Sequence, residues 1–156
     1  MSPVGATVRR SELVGRFAAA PARAAHAAAA AEAHGKPVPD GEWSAGEIVR
    51  HLIAVDVEVF ARRLHDLSEQ DQPRWSWVEP RFDDGPADRP LSVLVETFAA
   101  RRRELVATVT ALRAADWDRS GTHDTLGVLD VAGLLRVAID HDDEHLASIA
   151  RLASGD

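Results

Sequence analysis

The chain has 156 residues, of which 46% are hydrophobic and 28% are charged, and it contains no cysteine. A chain of this length can bury a core large enough to fold without disulfides, so a disulfide scaffold is excluded. The lack of cysteine also excludes thiolate metal ligands and cysteine nucleophiles, so any chemistry must come from His, Asp, Glu, Ser or Arg. The net charge of −7 argues against nucleic acid as a partner, because such domains are usually basic.

The N-terminal region is rich in alanine but does not read as a targeting or membrane segment. Charged residues interrupt the run from residue 18 to 33, and no window has the ~18 uninterrupted apolar residues of a membrane span. We therefore expect a cytoplasmic protein with no membrane partner. We expect one domain over residues 1–156, in which residues 1–7 form a flexible tail.

Clusters of proline and glycine divide the sequence into four long periodic segments. Each segment is poor in the β-branched alternation typical of strands, and together they cover approximately residues 8–33, 44–67, 91–113 and 130–153. Pro21 lies inside the first segment and is expected to kink or split it. The sequence predicts an all-α protein, an up-down four-helix bundle.

The second segment carries the clearest helix start and an unusual polar residue. Ser44 and Glu47 form a capping-box pattern, so the helix is predicted to begin at Ser44. His51 falls within the apolar stripe of this helix, which reads Ile48, Leu52, Val55 and Val59. An imidazole is therefore expected to point inward. Asp130 is the predicted N-cap of the fourth helix.

The connection from residue 68 to 90 is long for a compact bundle. It carries Trp75 and Trp77 among prolines and acidic residues, and two tryptophans favour packing over disorder. We expect this segment to fold across one end of the bundle.

Three histidines form the main candidate site. His141 and His145 are four residues apart on the apolar arc of the fourth helix, so their imidazoles can converge on one ion. His51 supplies a third inward imidazole from another helix. Three nitrogen donors leave at least one coordination position open, which is typical of a catalytic metal centre. Imidazole suits several divalent transition metals, so the ligand type does not choose among them.

Other interpretations of these histidines remain open. They could be core histidines that form hydrogen bonds with neighbouring acids. A di-iron bundle is excluded, because the residues three before the histidines are not glutamates. The segment His141–His145 also matches the inverted zincin motif, with Glu144 as the base, but only 11 residues follow His145 and a downstream carboxylate ligand is missing. A protease is therefore not expected.

An ordered set of motifs along nearly the whole chain resembles the DinB-like superfamily. The motifs are Trp43-Ser44 with Glu47 and His51-Leu52, Phe98 with Arg102, Gly121-Thr122-His123 with Gly127, Leu134-Leu135, and His141-Asp142-x-x-His145. This resemblance implies a four-helix bundle, often a homodimer, in which His51, His141 and His145 hold one divalent metal. Zinc or nickel is the expected ion, with iron as a further candidate.

The resemblance also implies classes of activity. Characterised members of the superfamily use a low-molecular-weight thiol, as S-transferases or as an isomerase, and others are assigned as metal-dependent hydrolases. We expect a metal-activated nucleophile and a small-molecule substrate, with thiol transfer to a small electrophile favoured over hydrolysis. A non-catalytic metal- or ligand-binding stress protein is the alternative.

Three residues outside the histidine triad are candidates for catalytic roles. Arg102 falls on the apolar face of the third helix, where it is either a snorkelling or ion-paired side chain at the edge of the helix packing or an anion contact for a substrate carboxylate. Glu144 and His123 are candidate general bases. Glu58, seven residues after His51, is a candidate to support that ligand.

Overall fold

The computed structural model describes residues 3–81 and 88–154. The helices are α1 (Pro3–His34), α2 (Ala45–Val55), α3 (Ala61–Glu69), α4 (Leu91–Thr110) and α5 (Val131–Ser154). A π-helical turn, Asp56–Phe60, joins α2 and α3 into one continuous segment. The predicted four-helix bundle is confirmed. No helix in the described part of the chain is long and apolar enough to cross a membrane.

The first helix is longer and more continuous than the sequence predicts. It begins at Pro3, so residues 3–7 of the expected tail are helical, and Pro21 does not split it. Proline has no N–H to donate to the carbonyl four residues earlier, which is that of Phe17. This carbonyl instead accepts a hydrogen bond of 2.7 Å from Nη1 of Arg102. The helix tolerates Pro21 because the free carbonyl has another donor.

Both predicted caps are present. The Ser44 hydroxyl accepts from the backbone N–H of Glu47 at 3.1 Å, and the Glu47 carboxylate accepts from the backbone N–H of Ser44 at 2.7 Å. At α5, Asp130 Oδ1 accepts from the backbone N–H of Gly133 at 2.7 Å. These caps fix the start of the two segments that carry the three histidines.

The core consists of two apolar clusters, and these reveal the helix directions. The first cluster takes the early residues of α1 and α5 and the late residues of α3 and α4, for example Leu13, Val131, Leu67 and Val109. The second takes the late residues of α1 and α5 and the early residues of α2 and α4, for example Ala28, Ile149, Ile48 and Leu94. The first and fourth helical segments are therefore parallel, and the second and third run opposite to them. The order is up-down-down-up, which differs from strict alternation.

This arrangement explains the long connection between the second and third segments. Two consecutive parallel helices need a connection that returns along the whole bundle. Its residues 70–81 turn back from the end of α3 towards the middle of the bundle, and residues 82–87, on which the expected path across one end also falls, lie outside the described part of the chain. Part of the connection is held by Glu58, whose carboxylate accepts from the backbone N–H of Arg81 at 3.0 and 3.2 Å.

A small three-stranded sheet, which the sequence analysis does not predict, ties this connection to the loop before α5. Its strands are β1 (Arg74–Trp75), β2 (Ser120–His123) and β3 (Gly127–Asp130), in the order β1-β2-β3. β1 is parallel to β2, with Trp75 opposite His123, and β2 is antiparallel to β3. A Cβ at Gly121 would lie 2.5 Å from the Trp75 ring, so this close approach requires glycine.

Candidate metal centre

The structure brings together the three histidines singled out by the sequence. His51 projects from α2, and His141 and His145 project from successive turns of α5. Nε2 of His141 lies 3.1 Å from Nε2 of His51 and 3.1 Å from Nε2 of His145. All three ligand atoms lie within 4.8 Å of one another. Each side chain is half-buried.

The donor set fits a divalent ion better than a set of hydrogen bonds. An imidazole nitrogen forms one hydrogen bond, as donor or as acceptor, so Nε2 of His141 can satisfy only one of its two contacts. An ion accepts all three lone pairs. Zinc–nitrogen bonds of about 2.1 Å in tetrahedral geometry separate the nitrogens by about 3.4 Å, close to the observed spacing. Three protein ligands also leave a position open for substrate.

The surroundings favour the neutral imidazoles that metal binding requires. Burial, together with the charges that neighbouring histidines would carry, lowers the pKa of His51 and lowers that of His141 to about 3. Burial also lowers the pKa of His145, against the opposing effect of Glu144. At neutral pH all three residues therefore present lone pairs and not N–H⁺ groups.

Trp43 forms one wall of the centre. Its ring centroid lies 5.1 Å from that of His51 and 6.2 Å from that of His145, and it is nearly parallel to the His145 ring. The residue remains 49% exposed. Because it lies one position before the N-cap Ser44, the capping box that starts α2 also places this wall.

Arg102 lies in the interior, between the two helical segments that carry the histidines. It is 1% exposed, and its guanidinium forms paired hydrogen bonds of 2.8–3.1 Å with the carboxylates of Asp56 and Asp142. Counting the Phe17 carbonyl, all five of its N–H groups are used. The structure therefore leaves no N–H for a substrate. Arg102 is ion-paired, as one of the two interpretations expects, but it lies in the interior and not at the edge of the helix packing.

Charge and burial act in opposite directions within this Asp56–Arg102–Asp142 cluster. Burial alone would lower the pKa of Arg102, but the hydrogen bonds and charges of the two carboxylates raise it above its usual value. Burial raises the pKa of Asp56 to about 6 and raises that of Asp142. The cluster joins Asp56, directly after α2, to Asp142 on α5, next to the histidines of both helices.

His123 lies outside the triad, as the last residue of β2 before the turn to β3, and is 2% exposed. Its Nδ1 accepts from the backbone N–H groups of Thr125 and Leu126 at 3.2 and 3.3 Å. The proton of the neutral ring is therefore assigned to Nε2. Nε2 is buried and has no hydrogen-bond partner in the described part of the chain.

A cavity of about 70 Å³ adjoins the triad. His51 and His141 line it on one side, and His123 and Arg63 also reach it. The rest of the lining is mainly apolar and includes the Trp77 side chain. Arg63 is not among the candidates selected from the sequence, although it follows Val59 by four residues and so continues the apolar stripe of the second helix.

The remaining candidates lie at the edge of the site. Glu144 is exposed on α5, beside His145. Glu58 holds the connection through Arg81 and does not bind a histidine. Glu79, which the sequence analysis does not select, is exposed on the connection, close enough to His51 to raise its pKa slightly against the effect of burial.

Comparison with solved structures identifies a similar fold. YfiT from Bacillus subtilis, described as "a probable metal-dependent hydrolase with an unusual four-helix bundle topology", matches with a TM-score of 0.77 and 17% sequence identity. The match covers 99% of this chain and 89% of that protein. Comparison with curated protein sequences finds no significant match.

The family comparison covers both core clusters and all three histidines. The sequence profile of the DinB superfamily matches residues 9–149, which include the capping box, the buried arginine and the α5 histidine pair. The resemblance noted from the sequence motifs is therefore confirmed, and the chain belongs to the DinB superfamily.

Proposed function

We propose that this protein is a metal-dependent enzyme that transfers a low-molecular-weight thiol to a small electrophile. The observation that carries the proposal is the convergence of three neutral imidazoles beside a small cavity. His51, His141 and His145 hold the metal in this proposal. A bound divalent ion lowers the pKa of a thiol or water ligand and so supplies a nucleophile near neutral pH.

The other residues of the site position and shield the reactants. The Asp56–Arg102–Asp142 cluster holds α2 and α5 at a fixed separation, and this separation sets the spacing of the ligands. Trp43 covers two of the histidine rings from solvent. The cavity on the other side of His51 and His141 receives the electrophile.

The placement of carboxylates favours a thiol over water as the nucleophile. A thiol loses its proton when it binds a metal, so it needs no general base from the protein. Of the carboxylates that act on the triad histidines, Glu79 and Glu144 are exposed, and the buried Asp142 is held by Arg102. Because the chain has no cysteine, the thiol must come from a cosubstrate.

Metal-dependent hydrolysis is the second candidate. It is supported by the likeness to YfiT, and Glu144 would act as its base. His123 does not suit that role, because its Nδ1 accepts from the turn and its Nε2 carries the ring proton. A non-catalytic metal- or ligand-binding role is the third. Zinc and nickel are the proposed ions, with iron as a further candidate, since all three accept imidazole ligands.

We propose a cytoplasmic homodimer that is a single domain over residues 1–156. The alanines on the outer faces of α1 allow close helix approach between two copies. Light scattering of the purified protein should give twice the chain mass of 16.9 kDa, and the mass of one chain would contradict the dimer.

The test compares metal-loaded protein with the His145→Ala variant and with a control, His26→Ala, which replaces an exposed histidine on α1. Consumption of cysteine and of glutathione is measured with monochlorobimane, and hydrolysis with ester and amide substrates. The proposal expects thiol transfer in the wild type and in the control but not in His145→Ala. Metal-dependent hydrolysis alone would favour the second candidate, and no turnover on any substrate would favour the third.

A further inference from the structure

Arg63 and His123 both line the cavity beside the triad, and neither the Arg63 guanidinium nor Nε2 of His123 has a hydrogen-bond partner within the described residues. We propose that Arg63 and His123 form a subsite that binds the carboxylate of a small organic substrate. The binding site itself is independent of the metal. Its use in catalysis rests on the proposed function, because the bound molecule would lie beside His51 and His141.

Arg63 is a buried cation without an acceptor. The residue is 6% exposed, its guanidinium lies 5.8 Å from the centre of the Trp75 ring, and it lines the cavity. Within residues 3–81 and 88–154, no oxygen lies within hydrogen-bond or ion-pair distance of its guanidinium. Burial of a charge without a partner is costly, and here burial lowers the pKa of Arg63. An anionic ligand would remove that cost.

His123 supplies a second donor to the same cavity. Its Nδ1 accepts hydrogen bonds from the turn, which assigns the proton to the buried Nε2, and that N–H has no partner in the described chain. A carboxylate has two oxygens that can accept from two donors. One oxygen can therefore bind Arg63 and the other His123.

The charge of this subsite matches that of a monoanion. Asp124 is close enough to raise the pKa of Arg63 slightly, but its carboxylate is half-exposed and lies 3.3 Å from Nδ1 of His123. Arg63 and His123 together supply one full positive charge. A carboxylate matches that charge better than a phosphate dianion does.

The shape and lining of the cavity indicate the rest of the ligand. The volume of about 70 Å³ suits a chain of a few carbons, and the walls include the apolar side chains of Val59, Phe60 and Leu126. The ligand class is therefore a short-chain carboxylic acid whose far end lies towards the triad.

Propanoate, propanamide and inorganic phosphate serve as probes. The shift of the Trp77 indole N–H in NMR titrations gives each dissociation constant, in both metal-loaded and chelator-treated protein. The variants are Arg63→Met, which removes the charge, and Arg63→Lys, which keeps the charge but lacks the planar set of N–H donors of a guanidinium. Arg62→Met is the matched control, because Arg62 is the exposed neighbour that pairs with Asp66.

The proposal expects Arg63→Met to weaken propanoate binding by about tenfold or more and Arg63→Lys to weaken it less. The control should bind like the wild type, and propanamide should bind weakly to every form. Equal propanoate binding by wild type and Arg63→Met, no binding by the wild type, or tighter binding of phosphate would overturn the subsite. If Arg63→Met does not fold, weaker propanoate binding by Arg63→Lys and weaker binding of propanamide than of propanoate by the wild type still test the subsite.

Comparison of metal-loaded with chelator-treated protein separates this inference from the proposed function. Binding that depends on Arg63 in both metal-loaded and chelator-treated protein would support the subsite whether or not the enzyme proposal holds. The same binding in a protein whose triad takes up no metal when the ion is supplied would contradict the metal-dependent enzyme alone. Binding that vanishes with the metal but ignores Arg63→Met would show that propanoate binds the ion, and this would overturn the subsite alone.

Discussion

Two buried polar regions lie side by side in this bundle, and the protein satisfies them to opposite degrees. In the Asp56–Arg102–Asp142 cluster every guanidinium N–H has an acceptor within the chain. At the triad and its cavity, one nitrogen faces two others, and buried nitrogens of His123 and His141 have no partner in the described chain. A polar group that is satisfied internally stabilises the fold, whereas one left unsatisfied is available to a ligand.

The largest effect on stability should come from disrupting the Asp56–Arg102–Asp142 cluster. Arg102→Met leaves two buried carboxylates without a partner, and we expect the free energy of unfolding to fall by about 3–5 kcal/mol. Denaturation in urea measures the change. Arg101→Met is the control, because Arg101 pairs with Glu104 on the exposed face and its loss should change stability by less than about 1 kcal/mol. Equal effects of the two substitutions would show that the buried cluster does not stabilise the bundle.

Binding of a metal ion at the histidine triad should stabilise the folded protein. Zinc or nickel at 100 times its dissociation constant should raise the free energy of unfolding by about 2.7 kcal/mol, since the ion binds the folded chain. Thermal denaturation with and without metal measures the gain. The gain should be lost in His141→Ala and kept in His34→Ala, an exposed histidine at the end of α1. A gain that persists in His141→Ala would place the metal elsewhere.

Without metal, the triad histidines should make the stability of the protein fall at acid pH. The pKa of each triad histidine is lowered in the folded state, so the unfolded chain binds protons more readily. Stability from these residues is complete above the ordinary histidine pKa of about 6.5 and is lost as the pH falls towards about 3, the pKa of His141.

Urea denaturation across this pH range tests the sign. A His141→Gln variant should lose stability less steeply below pH ~6.5, because it lacks the histidine with the lowest pKa. The same steepness in both proteins would mean that other groups cause the acid sensitivity.

The smallest expected effect concerns the start of α2. Ser44→Ala removes the hydroxyl that accepts from Glu47 N–H, and it should cost about 1 kcal/mol in the free energy of unfolding. Metal affinity should fall only slightly, because His51 lies two turns inside the helix. The Ser68→Ala control removes a serine near the end of α3 and should cost less. A loss of metal binding in Ser44→Ala alone would show that the cap positions the ligand directly.

Local sequence signals predict the helices and the triad well. Ser44 with Glu47 and the i, i+4 spacing of His141 and His145 are short-range patterns, and the structure preserves both. Helix direction cannot be predicted from such local patterns. Apolar periodicity defines the buried face of a helix but not whether the helix runs parallel or antiparallel to its neighbour. The two core clusters were needed to show that the second and third segments are parallel.

The features that the sequence does not predict depend on contacts between distant residues. Trp75 and His123 are paired across the sheet, although 48 positions separate them along the chain. Arg63, which has no acceptor in the part of the chain that the structure describes, and Arg102, whose N–H groups are all used, occupy the same kind of position on an apolar stripe. Only the three-dimensional arrangement shows that two carboxylates surround one arginine and a cavity lies beside the other.

The most direct test of the metal centre is elemental analysis of the protein purified without a histidine tag. The account predicts one divalent transition metal ion per chain in the wild type and none in the variant with alanine at residues 51, 141 and 145. A variant with alanine at the exposed histidines 26, 34 and 65 should keep the ion. Equal metal content in the wild type and the triad variant would contradict the assignment of this centre.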